Sequence, residues 1–91
     1  YPGIARDVLL PLARRHGTRI GRLLGDARST SDLGRYFGGQ LFAREIGYLR
    51  EAEFARDADD VVWRRTKAAL HVGKEARPAL LEAVTTELAR R

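Results

Sequence analysis

Apolar positions recur along this chain at intervals of three and four, the spacing that gathers them on one face of an α-helix. Between Ile4 and His16, the residues Ile4, Ala5, Val8, Leu9 and Leu12 fall within about 140° of a helical wheel, with Arg6, Asp7 and Arg14 outside it. Pro11 lies inside that pattern. It removes a backbone donor, so the helix either kinks there or starts later. Gly17 suits a helix stop and Thr18 a new N-cap, after which Ile20, Leu23 and Leu24 predict a short second helix ending near Gly25-Asp26. Residues 26–40, with Ser29-Thr30-Ser31-Asp32, Gly34 and Gly38-Gly39, predict a loop. A third helix is expected from Leu41 to Glu53 and a fourth from Asp57 to His71. At the start of the fourth, Asp57 and Asp60 have the spacing of a capping box, with Asp in both positions. After the break at Val72-Gly73-Lys74, a fifth helix runs from Glu75 to Arg90, with Pro78 acceptable only in its first turn. No segment alternates as a strand does. The expected fold is all-α, a compact orthogonal bundle of about five helices.

Composition narrows what such a bundle can do. At 91 residues the chain holds one domain, and its 44% apolar and 32% charged fractions describe a folded protein. The absence of Cys excludes disulfides, thiolate nucleophiles and cysteine-ligated metals, and two histidines, His16 and His71, are too few for a histidine-rich metal site. The sequence contains no Met and opens Tyr1-Pro2, so we expect a piece of a longer protein. The net charge of +5 divides unevenly: +4 over residues 1–30, −3 over 31–60 and +4 over 61–91. Two basic ends around an acidic middle suit an anionic partner, or a protein that neutralises itself when the middle packs against the ends.

Charges on apolar helix faces decide between these readings. Glu45 and Glu53 fall among Phe42, Ile46 and Leu49 on the third helix, and Arg65 falls among Ala58, Val61, Val62 and Ala69 on the fourth. A buried charge without a partner costs several kcal/mol. Arg65 is therefore expected to pair with Glu45 or Glu53 as a structural ion pair; the alternative is that Arg65 or Arg64 reaches an anionic ligand or a neighbouring domain. Trp63 and Leu70 occupy a second sector of the fourth helix, so Trp63, Arg64, Lys67 and Leu70 form a candidate docking surface. No Ser/His/Asp ordering and no GxGxxG is present, and no catalytic, cofactor-binding or metal-ligating residue is assigned. His16, ending a helix, reads as a partner of the helix dipole, and the acids Asp57, Asp59 and Asp60 do so at a helix start.

One stretch is more specific than its periodicity. Glu45, Tyr48-Leu49, Glu53, Ala55 and Asp60 lead into Trp63-Arg64-Arg65-Thr66-Lys67 and Leu70, while upstream stands Arg15-His16-Gly17-Thr18-Arg19. This pattern resembles the C-terminal helical domain of FAD-dependent, quinone-linked glycerol-3-phosphate dehydrogenases across most of residues 1–72, with Phe54 where that family has Trp. The last helix matches in kind alone. The resemblance implies a parent enzyme that oxidises sn-glycerol 3-phosphate to dihydroxyacetone phosphate and passes electrons from FAD to quinone. It also implies an upstream FAD and substrate domain as partner and a non-catalytic role for this domain. The parent would be cytoplasmic, peripheral on the cytoplasmic face of the inner membrane, and a homodimer is compatible with it.

The competing reading is a small basic nucleic-acid-binding module. The two helices around Gly17, a pI near 10.4 and Arg14, Arg19 and Arg22 permit a helix-turn-helix. Against it, the second helix is short, contains Gly21 and lacks the Asn and Gln that read bases. No nucleic acid is expected as partner. Contact of the basic ends with a membrane surface has no continuous basic amphipathic helix behind it.

Overall fold

The computed structural model describes residues 1–90. Helix α1 spans Arg6–His16, α2 Ile20–Leu24, α3 Ala43–Ala52 and α4 Arg77–Ala89. Between α3 and α4 lies a fifth helical segment, a π-helix over Asp60–Arg65. The radius of gyration is 12.3 Å, against about 12 Å expected for a single compact body of this length.

The start of α1 falls two residues later than the apolar pattern suggested, at Arg6, and Pro11 still lies inside it. The Ala5 amide, which precedes the helix, donates to Thr30 Oγ1 at 2.9 Å. Gly17, with φ 54°, ends the helix as expected, and its amide donates to the Ala13 carbonyl. In α4, Pro78 sits in the first turn, where its missing N–H has no partner to lose.

Two expectations fail, each for a local reason. Residues 26–40 are not a plain loop. Ser29 and Asp32 form a capping box on a 3-10 turn at Thr30–Leu33, and a hairpin follows, pairing β1 (Tyr36–Gly38) antiparallel with β2 (Leu41–Phe42). Its turn places Gly39 and Gln40 at φ 58° and 67°, the two left-handed residues of a type I′ hairpin. A Cβ on Gly39 would strike the Ala68 carbonyl, so glycine is required there. Helix α3 consequently begins at Ala43 rather than Leu41.

The helix expected over 57–71 also breaks. The Thr66 amide and hydroxyl both donate to the Val61 carbonyl, at 3.0 and 2.8 Å, and Thr66 Oγ1 accepts from the Ala68 amide at 3.1 Å. A threonine side chain thus takes over bonds that the backbone of a continuing helix would make. Lys67 turns left-handed at φ 56°, and a 3-10 turn over Ala68–His71 follows.

Two apolar cores result. Ile4, Leu12, Leu23, Leu24, Ala27 and Leu33 form one. Leu41, Ile46, Leu49, Val61, Val62, Leu80 and Val84 lead the other. Tyr48 of α3 packs against both, so α3 is the wall the cores share.

Candidate functional site

The α3 wall carries the most buried charge among the described residues. Glu45 is 1% exposed, and its partners come from the end of α1 rather than from Arg65. Arg15 donates through Nε to Oε2 at 2.9 Å and through Nη2 to Oε1 at 2.6 Å, the two-pronged geometry that suits guanidinium to carboxylate. His16 Nε2 lies 2.6 Å from Oε2, and its ring meets Tyr48 edge-on at 5.5 Å. Arg15 Nη2 also donates to the Gln40 carbonyl in the hairpin turn at 3.1 Å. This clamp joins α1, α3 and the hairpin. His16 occupies the last turn of α1, yet its ring serves Glu45 directly, a contact that the helix-dipole reading did not contain.

Arg65 works at the other end of α3. Its Nε donates to Asp60 at 2.9 Å, and its Nη1 stands 3.5 Å from Glu53. Glu53 also faces Arg19 at 3.3 Å. The Arg65 side chain is 30% exposed, because the wider π-turn rotates it from the centre of the apolar stripe to its edge. Arg65 therefore meets Glu53 and Asp60, and not Glu45. Asp57 Oδ1 accepts the Asp60 amide at 2.9 Å, whereas Asp60 accepts from Arg56 rather than from Asp57, which makes half of a capping box. The Asp60 carboxyl is held below the usual carboxylate range, chiefly by the hydrogen bond from Arg65.

Three acids of the middle are thus spent on the basic ends: Glu45 on Arg15 and His16, Glu53 on Arg19 and Arg65, and Asp60 on Arg65. With Arg19 facing Glu53 and α2 only five residues long, the segment after Gly17 is poorly formed for reading a DNA groove.

Trp63, Arg64, Lys67 and Leu70 all reach solvent, Trp63 at 38% and Leu70 at 59% exposure. Arg77 lies over the Trp63 ring, 5.2 Å from its centre, and donates to the Ala69 carbonyl at 2.9 Å, which holds the guanidinium against the indole. Trp63 and Arg64 border one concavity with Asp59 and Asp60. Arg64 and Lys67 border another with Arg14, Arg15 and His71. Sequence reasoning missed two features. Arg15 follows Val8 and Leu12 at helical spacing, a charge continuing an apolar stripe, and that signal could have found it. Phe54 stands where the resembled family has Trp, but its 79% exposure and left-handed φ of 58° left no periodic signal. Among the described residues, no cluster of three or more His, Asp or Glu side chains could hold a metal.

What the geometry describes is a small helical domain, fastened internally by arginine–carboxylate clamps and turned outward through an aromatic and cationic rim. Residues 2–91 match the model of the family described as the C-terminal domain of alpha-glycerophosphate oxidase, and the chain belongs to that family. It is 46% identical over 70 residues to a glycerol-3-phosphate dehydrogenase of Pseudomonas aeruginosa, covering 77% of this chain and 14% of that protein. It is 42% identical over 67 residues to the aerobic glycerol-3-phosphate dehydrogenase of Escherichia coli, covering 74% and 13%. With the D-erythritol 1-phosphate dehydrogenase of Brucella abortus it shares 35% identity over 82 residues, covering 90% and 16%. The chain spans only 13% to 16% of the length of these relatives.

Proposed function

We propose that residues 1–91 are a single C-terminal accessory domain of an FAD-dependent sn-glycerol-3-phosphate dehydrogenase, docked on an upstream catalytic body. In this reading the parent oxidises sn-glycerol 3-phosphate to dihydroxyacetone phosphate and passes the electrons to quinone, peripherally on the cytoplasmic face of the inner membrane. The family membership and the names of the relatives support it. No helix among the described residues is long and apolar enough to cross a membrane.

The adjacent glycines Gly38 and Gly39 face Val72 and the Ala68 backbone rather than open space, so this pair offers no cradle for a flavin pyrophosphate. The residues that hold FAD and substrate are accordingly assigned upstream, and no chemical step is assigned here. The domain's part is to dock through Trp63, with Arg64, Lys67 and Leu70 around it. The observation that carries this is Trp63 itself, a large apolar ring with Arg77 over it that is 38% exposed. Aromatic anchors of this kind lose little entropy when covered. A second subunit is the competing occupant of the same face.

The test uses the whole parent protein and a form truncated before Tyr1, compared by flavin absorbance and by dye reduction with sn-glycerol 3-phosphate and with D-erythritol 1-phosphate. Flavin and glycerol-3-phosphate activity in the whole protein are expected, and their absence overturns the assignment. Trp63→Ala in the whole protein is expected to speed proteolytic release of the domain several-fold while its unfolding stays unchanged. Equal release from both proteins sinks the docking role.

A further inference from the structure

Arg14 and Arg15 at the end of α1, Gln40 in the hairpin turn, and Arg64, Arg65, Lys67 and His71 line one concavity of about 420 Å³. That volume takes a small ligand. No acidic residue lines it. Two of its arginines are anchored from behind. Arg15 spends Nε and Nη2 on Glu45 and Gln40, which leaves Nη1 free of protein acceptors. Arg65 spends Nε and Nη1 on Asp60 and Glu53, which leaves Nη2. Arg14, Arg64 and Lys67 make no ion pair among the described residues. Arg14 and Lys67, unpaired beside the paired Arg15 and Arg65, leave an excess of positive charge on the rim.

The backbone adds an independent observation. Lys67 is left-handed at φ 56°, a conformation that glycine adopts freely and a long side chain does not. The chain carries a cation at the rim of the concavity where glycine would be at ease, and strain held at such a place points to use.

We infer that this concavity binds a phosphate group. A carboxylate offers two oxygens in one plane, whereas a phosphate dianion offers acceptors in several directions at once. It can therefore meet donors arriving separately from α1 and from the 64–71 segment. Arg64 and Lys67 also border the proposed docking face, so the inference is tested on this chain alone, where that face is uncovered.

The 91-residue chain, which buries two apolar clusters, serves as the test protein once cooperative urea unfolding shows that it folds alone. It is titrated with inorganic phosphate at fixed ionic strength, with sodium chloride as the replaced salt, while the amide resonances of Arg64, Lys67 and His71 are followed. Saturable shifts confined to the concavity are expected. Lys67→Gly separates binding from folding. It relieves the left-handed strain, so the unfolding midpoint should hold or rise, while phosphate affinity falls roughly tenfold, the worth of one charge-assisted hydrogen bond. Arg14→Gln, on an exposed turn of α1, should also weaken binding several-fold. A parallel titration with glycerol 2-phosphate identifies the source: equal affinity assigns free phosphate, and tighter binding assigns a phosphate ester. Failure to saturate, an equal response to chloride, or unchanged affinity in both variants would overturn the proposal. So would saturable binding to a random DNA duplex that phosphate cannot displace.

Discussion

Replacing Glu45 by alanine should be among the most damaging single changes in this domain. The substitution removes a carboxylate that is 1% exposed and takes three hydrogen bonds, two from Arg15 and one from His16. Removing one partner of a buried pair costs about 3–5 kcal/mol, because the other charge is left desolvated. Here the lower end applies. The Arg15 side chain is already 15% exposed and can swing toward water, and an imidazole need not carry a charge. A loss of about 3 kcal/mol would lower the melting temperature by roughly 12–24 °C for a domain of this size. It is a large share of the roughly 5–14 kcal/mol available to such a chain. The assay is urea unfolding of the wild type, Glu45→Ala, Arg15→Ala and the double variant. A coupling energy of roughly 2 kcal/mol is expected between the two positions. Additive losses, or a Glu45→Ala cost below about 1 kcal/mol, would refute the claim that this clamp fastens α1 to α3.

Acid should weaken the fold by a predictable route. Asp60 and Asp32 are held below their ordinary range, Asp60 chiefly by the Arg65 hydrogen bond and Asp32 chiefly by the Arg28 amide. A carboxylate lowered in the folded state contributes its full stability above its unfolded pKa of about 3.9 and loses it as pH falls through the lower folded value. Urea midpoints should therefore drop below about pH 4, and Arg65→Ala should flatten that drop; an unchanged slope would remove Arg65 as the cause. Gly39→Ala should cost roughly 2 kcal/mol or more, since it imposes a left-handed alanine and drives a Cβ into the Ala68 carbonyl. A thermal melt of that variant matching wild type would show that the hairpin turn yields.

Helical periodicity was legible because it is a local property. The stripes of α1 and α3, the stop at Gly17 and the place of Pro78 follow from residues within a few positions of one another. The hairpin was not legible. Its turn is Gly39-Gln40 rather than Asn-Gly, and Leu41 serves the strand and the core at once. The break at Thr66 was hidden for a related reason: the periodic pattern continues through it, while the Thr66 hydroxyl bonds the Val61 carbonyl and accepts the Ala68 amide. At the candidate site, the need of Glu45, Glu53 and Arg65 for partners could be read from their faces, but the identity of those partners could not.

The amino-acid sequence by itself determined the helical class of this domain, the apolar faces that must be covered and the charges that must be matched. Each of these follows from side-chain chemistry and from backbone geometry repeated over a few residues. Tertiary structure alone decided that Glu45 goes to Arg15 and His16, 30 and 29 residues away, and that Arg65 turns to Asp60 and Glu53. It also brought Arg14, Arg64 and Lys67 to one concavity. A carboxylate accepts any nearby guanidinium with similar strength, so the choice falls to whichever one the packing of the two cores brings within about 3 Å.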